Sequence, residues 1–78
     1  MDLVIVSPSK VIFEGEVEMV IAPGELGELG ILRAHTPLIS NLKEGILRVK
    51  SGGNEEQYKI NGGFLEVLKD KVVVTIYG

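Results

Sequence analysis

Apolar and polar residues alternate along most of this chain in short runs, and turn residues separate the runs. In residues 46–50, an extended backbone would point Leu47 and Val49 to one face and Arg48 and Lys50 to the other. A period of two over four to seven residues is typical of a half-buried strand. Alternation or a continuous apolar run predicts strands over residues 3–6, 10–13, 16–21, 46–50, 55–60, 64–68 and 72–77.

Turn signals occur at close, regular spacing between these predicted strands. The strongest are at residues 7–9, 51–54, 61–63 and 69–71, which contain Ser, Pro, Gly, Asn and Asp. Residues 38–42 are ambiguous, because their apolar side chains suit one helical turn as well as a short strand. Many short strands without a convincing helix predict an all-β fold. We expect a single domain over residues 1–78, built as a small antiparallel β-sandwich of two sheets with no substantial helix.

The first half of the chain gives more detailed expectations for the individual strands. Val11 and Phe13 should share one face, and Gly15 should mark a bulge or a turn. Residues 16–21 should form one continuous strand with the acidic side chains of Glu16 and Glu18 in solvent. Its buried face would consist of Val17, Met19 and Ile21.

Glycines punctuate the stretch from residue 23 to residue 38 at every third position: Gly24, Gly27 and Gly30. Each would cost about 1 kcal/mol relative to Ala inside a helix, so the pattern disfavours a helix. It also matches no phosphate-binding loop, because the P-loop and the dinucleotide motif need other spacings and a following helix. We therefore predict a bent strand, a bulge or a close approach of two backbones. The apolar residues between the glycines should be buried: Leu26, Leu29, Ile31 and Leu32.

Composition narrows the class of protein further. The chain has 78 residues, no cysteine, a net charge of −3 and 45% hydrophobic residues, with a mean hydropathy of +0.27. This rules out disulfide or thiol chemistry and argues against a nucleic-acid partner. Apolar runs are far shorter than the ~20 residues of a membrane span, and the start lacks a signal-peptide pattern. A soluble intracellular domain without membrane insertion is expected, and its hydrophobic content indicates either a tightly filled sandwich or apolar surface reserved for a partner.

Residues that carry chemistry are sparse, so no catalytic, metal or cofactor site is predicted. His35 is the only histidine, and no other ligand stands at a diagnostic spacing from it. It reads as a polar turn residue or as part of a partner interface. Glu25 and Glu28 read as loop carboxylates, either solvated or presented to a basic partner. Residues alone thus predict a small β-sandwich that works as a binding or assembly module.

Four segments together carry a resemblance to a known family. They are Gly-Glu-Leu-Gly-Ile-Leu at 27–32 followed by His-Thr-Pro-Leu at 35–38, Asn-Gly-Gly-Phe-Leu-Glu-Val at 61–67, residues 42–49 and residues 11–17. In this order they resemble the epsilon subunit of the bacterial F-type ATP synthase, equivalent to the mitochondrial delta subunit. The resemblance covers nearly the whole chain.

The resemblance implies a non-catalytic subunit of the central stalk, which joins the gamma shaft to the c-ring and supports coupling of proton flow to ATP synthesis. By analogy, Glu28 would meet the polar loops of the c-ring, and His35 and Leu38 would face gamma. The subunit would lie at the cytoplasmic face of the bacterial inner membrane as a peripheral part of the complex. It would bind no nucleotide in this domain.

Two departures from the family pattern are visible. Arg33 and Ala34 stand where the family usually has a Pro-Gly pair, so the turn before His35 is expected to differ. The sequence ends at Gly78, whereas the family usually continues into a C-terminal pair of helices that carries regulation. The main alternative is a generic β-sandwich protein-binding module outside the synthase. A small metal enzyme is a weaker alternative, because it would need several His or Cys ligands.

Overall fold

The computed structural model describes residues 1–33 and 36–77, and within them it contains strands and turns without a helix. The strands are β1 (Asp2–Val6), β2 (Val11–Glu16), β3 (Met19–Gly24), β4 (Gly27–Leu32), β5 (Leu38–Leu42), β6 (Gly45–Ser51), β7 (Asn54–Ile60), β8 (Gly63–Leu68) and β9 (Lys71–Ile76). The all-β prediction is confirmed.

The strands form one curled sheet whose two halves pack as a sandwich. The five-strand half has the order β2-β1-β9-β8-β5, and the four-strand half has the order β4-β3-β6-β7. One bridge between Gly24 and Leu42 connects the halves. Neighbouring strands are antiparallel except β1 and β9, which run parallel although they are the first and last strands of the chain.

The core lies between the two halves and receives alternate residues from most strands. Its fully buried members include Leu3, Ile5, Val20, Ile31, Leu47, Val49, Leu65, Val72 and Val74. At the open side, the rings of Phe13 and Tyr58 meet edge to face with centroids 6.4 Å apart. These rings belong to β2 and β7, the outermost strands of the two halves, so the contact helps to close the sandwich.

Several predicted strands and turns agree with the structure. Residues 46–50, 55–60 and 64–68 all lie in strands, and their predicted buried faces point inward. The ambiguous residues 38–42 form strand β5, because they pair with β8 along their whole length. Asn61 and Gly62 make a corner that carries the chain from β7 in one half to β8 in the other.

The prediction of one strand over residues 16–21 is wrong. The chain turns at Val17 and Glu18, because it leaves β2 in the five-strand half and enters β3 in the four-strand half. The turn is held by backbone hydrogen bonds from the Val17 amide to the Met1 carbonyl and from the Glu18 amide to the Lys50 carbonyl, both 2.9 Å. Moving to the other half of the sheet also resets the alternation of faces, so Val20 is fully buried.

The expected shared face of Val11 and Phe13 is wrong as well. Val6 pairs with Val11 while Ile5 pairs with Phe13, so residue 12 is an extra residue on the β2 side of the ladder. This bulge places Val11 and Phe13 on opposite faces. Val11 is therefore exposed and Phe13 packs against the core. The irregularity lies there and not at Gly15, which pairs regularly with Leu3.

Candidate functional site

The glycine-rich stretch forms a hairpin with a braced tip. β3 and β4 pair along their whole length, and Glu25 and Leu26 make the two-residue turn between Gly24 and Gly27. Gly27 has a φ of 140°, a backbone region that residues with a Cβ rarely adopt. At Gly24 a Cβ would collide with the Gly27 carbonyl oxygen and lie 2.9 Å from the Leu29 Cγ, so the predicted close approach is confirmed.

Two hydrogen bonds attach this tip to the neighbouring chain segment. The Glu25 amide donates to the Asn41 carbonyl at 3.0 Å, and the Lys43 amide donates to the Pro23 carbonyl at 2.9 Å. They connect the β3 side of the turn, at Pro23 and Glu25, to the end of β5 and the residue after it. The tip is therefore held by backbone contacts beyond its own hairpin.

The expected burial of the leucines in this stretch is only partly correct. Ile31 is fully buried and Leu29 packs against the core, but Leu26 and Leu32 are exposed. Leu26 is exposed because it lies in the turn and not in a strand. Leu32 is exposed because it pairs with Met19 on the outer face of the four-strand half, opposite the core side of Ile31.

Glu28 is an accessible carboxylate near the tip of the hairpin. It pairs with Pro23 on the outer face of the four-strand half, and 68% of its side chain is exposed. One oxygen accepts a hydrogen bond from the Arg48 guanidinium at 3.3 Å. An exposed pair of this length contributes little to stability, so the carboxylate is free to exchange Arg48 for another cation.

Glu28 and Leu38, two of the residues predicted to bind partners, lie apart in the structure. Leu38 begins β5 and is half-buried against the core, whereas the other end of β5, Leu42, pairs with Gly24 at the base of the hairpin tip. Leu42 lies four positions along the strand from Leu38, or about 13 Å away. Glu28 and Leu38 thus lie at opposite ends of the sandwich. His35 lies outside the residues that the structure describes.

The outer surface of the five-strand half exposes several apolar side chains, and sequence reasoning did not locate this surface. One row of paired residues crosses all five strands as Ile39, Glu66, Val73, Val4 and Glu14. Apolar side chains from all five strands lie on this surface among polar ones, and we call it the apolar face: Val4, Val6, Val11, Ile39, Phe64, Leu68 and Val73.

Exposure on the apolar face is greatest at Ile39, which is 73% exposed, and at Val11, which is 56% exposed. A sequence signal for this face existed in the adjacent apolar pairs, such as Leu38 with Ile39. In a strand, neighbouring side chains point to opposite faces, so one member of each pair must point outward. Ile39 is thus the outward partner of the half-buried Leu38.

Carboxylates line the border of the apolar face on strands β1 and β2. Asp2 pairs with both Glu16 and Lys71, next to the row that ends at Glu14. A hydrogen bond with Glu16 and repulsion from it raise the pKa of Asp2. Hydrogen bonds from the Met1 amine, 2.8 Å away, and from Asp2 lower the pKa of Glu16. An apolar surface with an acidic border suits a partner that is apolar and basic.

Within residues 1–33 and 36–77, no cluster of His, Cys, Asp or Glu could hold a metal ion. The described part of the chain also contains no helix long and apolar enough to cross a membrane. The features that remain are the braced hairpin with Glu28 and the apolar face. Both are surfaces suited to binding another macromolecule.

Comparison with known proteins agrees with this reading. Residues 1–76 match the family model described as the ATP synthase delta/epsilon chain, beta-sandwich domain. The chain is 50% identical over 70 residues to the ATP synthase epsilon chain of Desulforamulus reducens, covering 90% of this chain and 53% of that one. It is 55% identical over 71 residues to the corresponding chain of Chromohalobacter salexigens, covering 90% and 50%. The chain thus spans about half the length of these curated relatives.

Solved structures share the same fold. A chain in the cryo-EM structure of the Euglena gracilis mitochondrial ATP synthase, comprising OSCP, F1 and c-ring in rotational state 1, superposes with a TM-score of 0.90 at 31% identity. That match covers 95% of this chain and 48% of the other. A chain of the Tetrahymena thermophila mitochondrial ATP synthase central stalk and c-ring has a TM-score of 0.84 at 17% identity, covering 100% and 63%.

Proposed function

Because the chain belongs to the ATP synthase delta/epsilon family, we propose that it is a non-catalytic part of the synthase rotor that joins the gamma shaft to the c-ring. The observation that carries this proposal is the family match over residues 1–76, together with the shared β-sandwich fold. In this role the domain supports coupling of proton flow to ATP synthesis by mechanical connection. It lies at the cytoplasmic face of the bacterial inner membrane as a peripheral component.

The hairpin end of the sandwich meets the polar loops of the c-ring in this proposal. Glu28 supplies the charge for this contact, since 68% of its side chain is exposed. The hydrogen bond that the structure describes for its carboxylate is the long one from Arg48, at 3.3 Å. A basic loop residue can therefore take the place of Arg48 at little cost. The braced turn supports this role, because a connection that transmits torque should not bend at its point of contact.

The apolar face meets gamma. Ile39 supplies its most exposed apolar side chain, and Phe64 lies one strand away in the adjacent row. Burying such a surface is the main source of affinity in a permanent interface. Leu38 supports β5 from the core side of the sheet while Ile39 makes the contact, and His35 remains an expected neighbour of gamma.

Binding to rotor components tests both surfaces at once. The wild-type chain, Ile39→Asp and Glu28→Lys are compared for binding to isolated gamma and to the gamma–c-ring assembly of the same organism. Ile39→Asp should weaken binding to gamma on the order of 10- to 100-fold, because a charge replaces an apolar side chain that the proposed interface would bury. Glu28→Lys should leave gamma binding unchanged but slow association with gamma–c-ring, most strongly at low salt.

Matched variants on the outer face of the four-strand half serve as controls. Ile46→Asp introduces the same charge at a residue that is 44% exposed. Glu55→Lys reverses a carboxylate that, like Glu28, lies beside a β6 cation, with 3.9 Å between its oxygen and the Lys50 Nζ. Ile46→Asp should bind gamma like the wild type, and Glu55→Lys should bind both gamma and gamma–c-ring like the wild type. Failure of the wild-type chain to bind gamma would reject the rotor role, and equal losses in test and control variants would reject the assigned surfaces.

A further inference from the structure

Leu26 stands at the tip of the hairpin with its side chain fully in solvent. Its relative exposure is 102%, far above the next most exposed large apolar residue, Ile39, at 73%. Leu26 is one of the two residues of the turn, together with Glu25. Its side chain therefore adds no buried apolar surface to the fold. A polar residue would suit such a turn better than a leucine does. The side chain of Leu26 therefore protrudes as an apolar knob, and packing within the domain does not account for a leucine at this position.

The backbone that carries Leu26 is fixed in advance. The turn is closed by the paired Gly24 and Gly27, and the amide of its neighbour Glu25 is bonded to the Asn41 carbonyl at 3.0 Å. Association with a partner therefore orders only a leucine side chain, which loses little rotamer freedom. A rigid knob of this kind binds better than the same residue on a loose loop.

Charge beside the knob decides which kind of surface it fits. Glu25 precedes Leu26 directly and Glu28 lies two residues beyond it, so the tip presents carboxylates next to the apolar side chain. The cytoplasmic surface of a bilayer carries negative charge from anionic lipids and would repel these groups. A protein surface that combines an apolar depression with a basic side chain attracts both parts of the tip.

We propose that Leu26 inserts into an apolar seat on a protein partner, and that a basic side chain beside this seat pairs with Glu25. The inference rests on the proposed rotor role, which puts the seat on the c-ring side of the assembly. It adds a second, apolar component to the charged contact of Glu28. The knob fixes where the tip sits, and Glu28 acts on the rate of encounter.

The test compares Leu26→Ser, Leu26→Met and Leu32→Ser with the wild type. Binding to the gamma–c-ring assembly of the same organism should weaken on the order of 10- to 100-fold in Leu26→Ser, mainly through faster dissociation. Leu26→Met should restore most of the affinity, because it fills the seat with a similar volume. Leu32→Ser removes a leucine that is 56% exposed in the same hairpin and should bind normally.

Separate measurements distinguish the outcomes. All three variants should melt like the wild type and bind isolated gamma with unchanged affinity, since the proposed seat for Leu26 lies on the c-ring side of the assembly and not on gamma. Normal binding of Leu26→Ser to gamma–c-ring, beside normal wild-type binding, overturns the inference and leaves the rotor role intact. If the wild-type chain does not bind the assembly, both fail. Leucine-dependent binding to phosphatidylglycerol vesicles would assign the knob to lipid and also overturn the inference.

Discussion

Gly63 is the glycine whose replacement should damage this fold most. It has a φ of 154°, and a Cβ there would overlap the Thr75 carbonyl oxygen and lie 3.0 Å from the Ile76 Cα. All of these atoms belong to backbone in the paired strands β8 and β9. Gly63→Ala therefore combines an unfavourable backbone angle with a collision that no rotation of a side chain can relieve.

Two other glycines separate these contributions. Gly27 has a φ of 140° but open space around its missing Cβ, so Gly27→Ala reports conformational strain alone. Strain of this kind costs about 1–3 kcal/mol, and overlap with packed atoms adds about 1–3 kcal/mol. Gly30→Ala meets only the flexible end of Met19 at 3.2 Å, and should stay within about 0.5 kcal/mol of the wild type.

Urea unfolding of the three variants measures these free energies. The wild-type domain should unfold with a free energy of about 4–12 kcal/mol, scaled by its length. With a slope of about 1 kcal/mol per molar urea, Gly27→Ala should lower the midpoint by about 1–3 M. Gly63→Ala should lower it further or leave no folded protein. Equal midpoints for Gly63→Ala and Gly27→Ala would show that the β8–β9 backbone yields freely, which would refute the reasoning.

Two further predictions concern acid and nucleotide. The Met1 amine lowers the pKa of Glu16, so the ionised carboxylate stabilises the fold above the ordinary value of 4.5, and this contribution is lost as the pH falls below it. The melting temperature of Glu16→Gln should thus fall less on acidification than that of the wild type; parallel curves would contradict this. The chain should neither slow ATP hydrolysis by an epsilon-depleted catalytic head nor bind ATP in calorimetry, because the described residues offer only strands joined by short turns. Strong inhibition or saturable micromolar binding would place regulation in this domain.

The sequence predicted the fold well where local signals and the sheet agree. Leu47 and Val49 alternate with charged residues, and β6 pairs regularly with β7. The alternation in sequence therefore predicts correctly which side chains of β6 are buried. The glycine stretch also predicted a close approach correctly at Gly24. The resemblance to the epsilon subunit, which rested on motifs in register, is confirmed by the family match.

Other features depend on contacts that no local pattern encodes. The turn at Val17 exists because the chain changes sheets there, and the bulge opposite Val6 shifts β2 by one residue. Leu26 looked like a core residue, because composition does not reveal which residue of a hairpin occupies the turn. The apolar face was not located because residues 3–6 and 72–77 are apolar on both faces of their strands, so the pattern does not reveal which side is outward; outward residues such as Val4 and Val73 are half-buried.

The parallel pairing of β1 with β9 also determines when this domain can fold. Asp2 pairs with Lys71 and Val6 with Thr75, so the first strand finds its central neighbour only after the residues up to Thr75 have left the ribosome. Until then β1 has β2 on one side and an open edge on the other, an arrangement prone to pairing with other chains. Closing so long a loop is entropically costly and slow. The apolar N-terminal strand is thus the segment that a nascent chain most needs to have shielded.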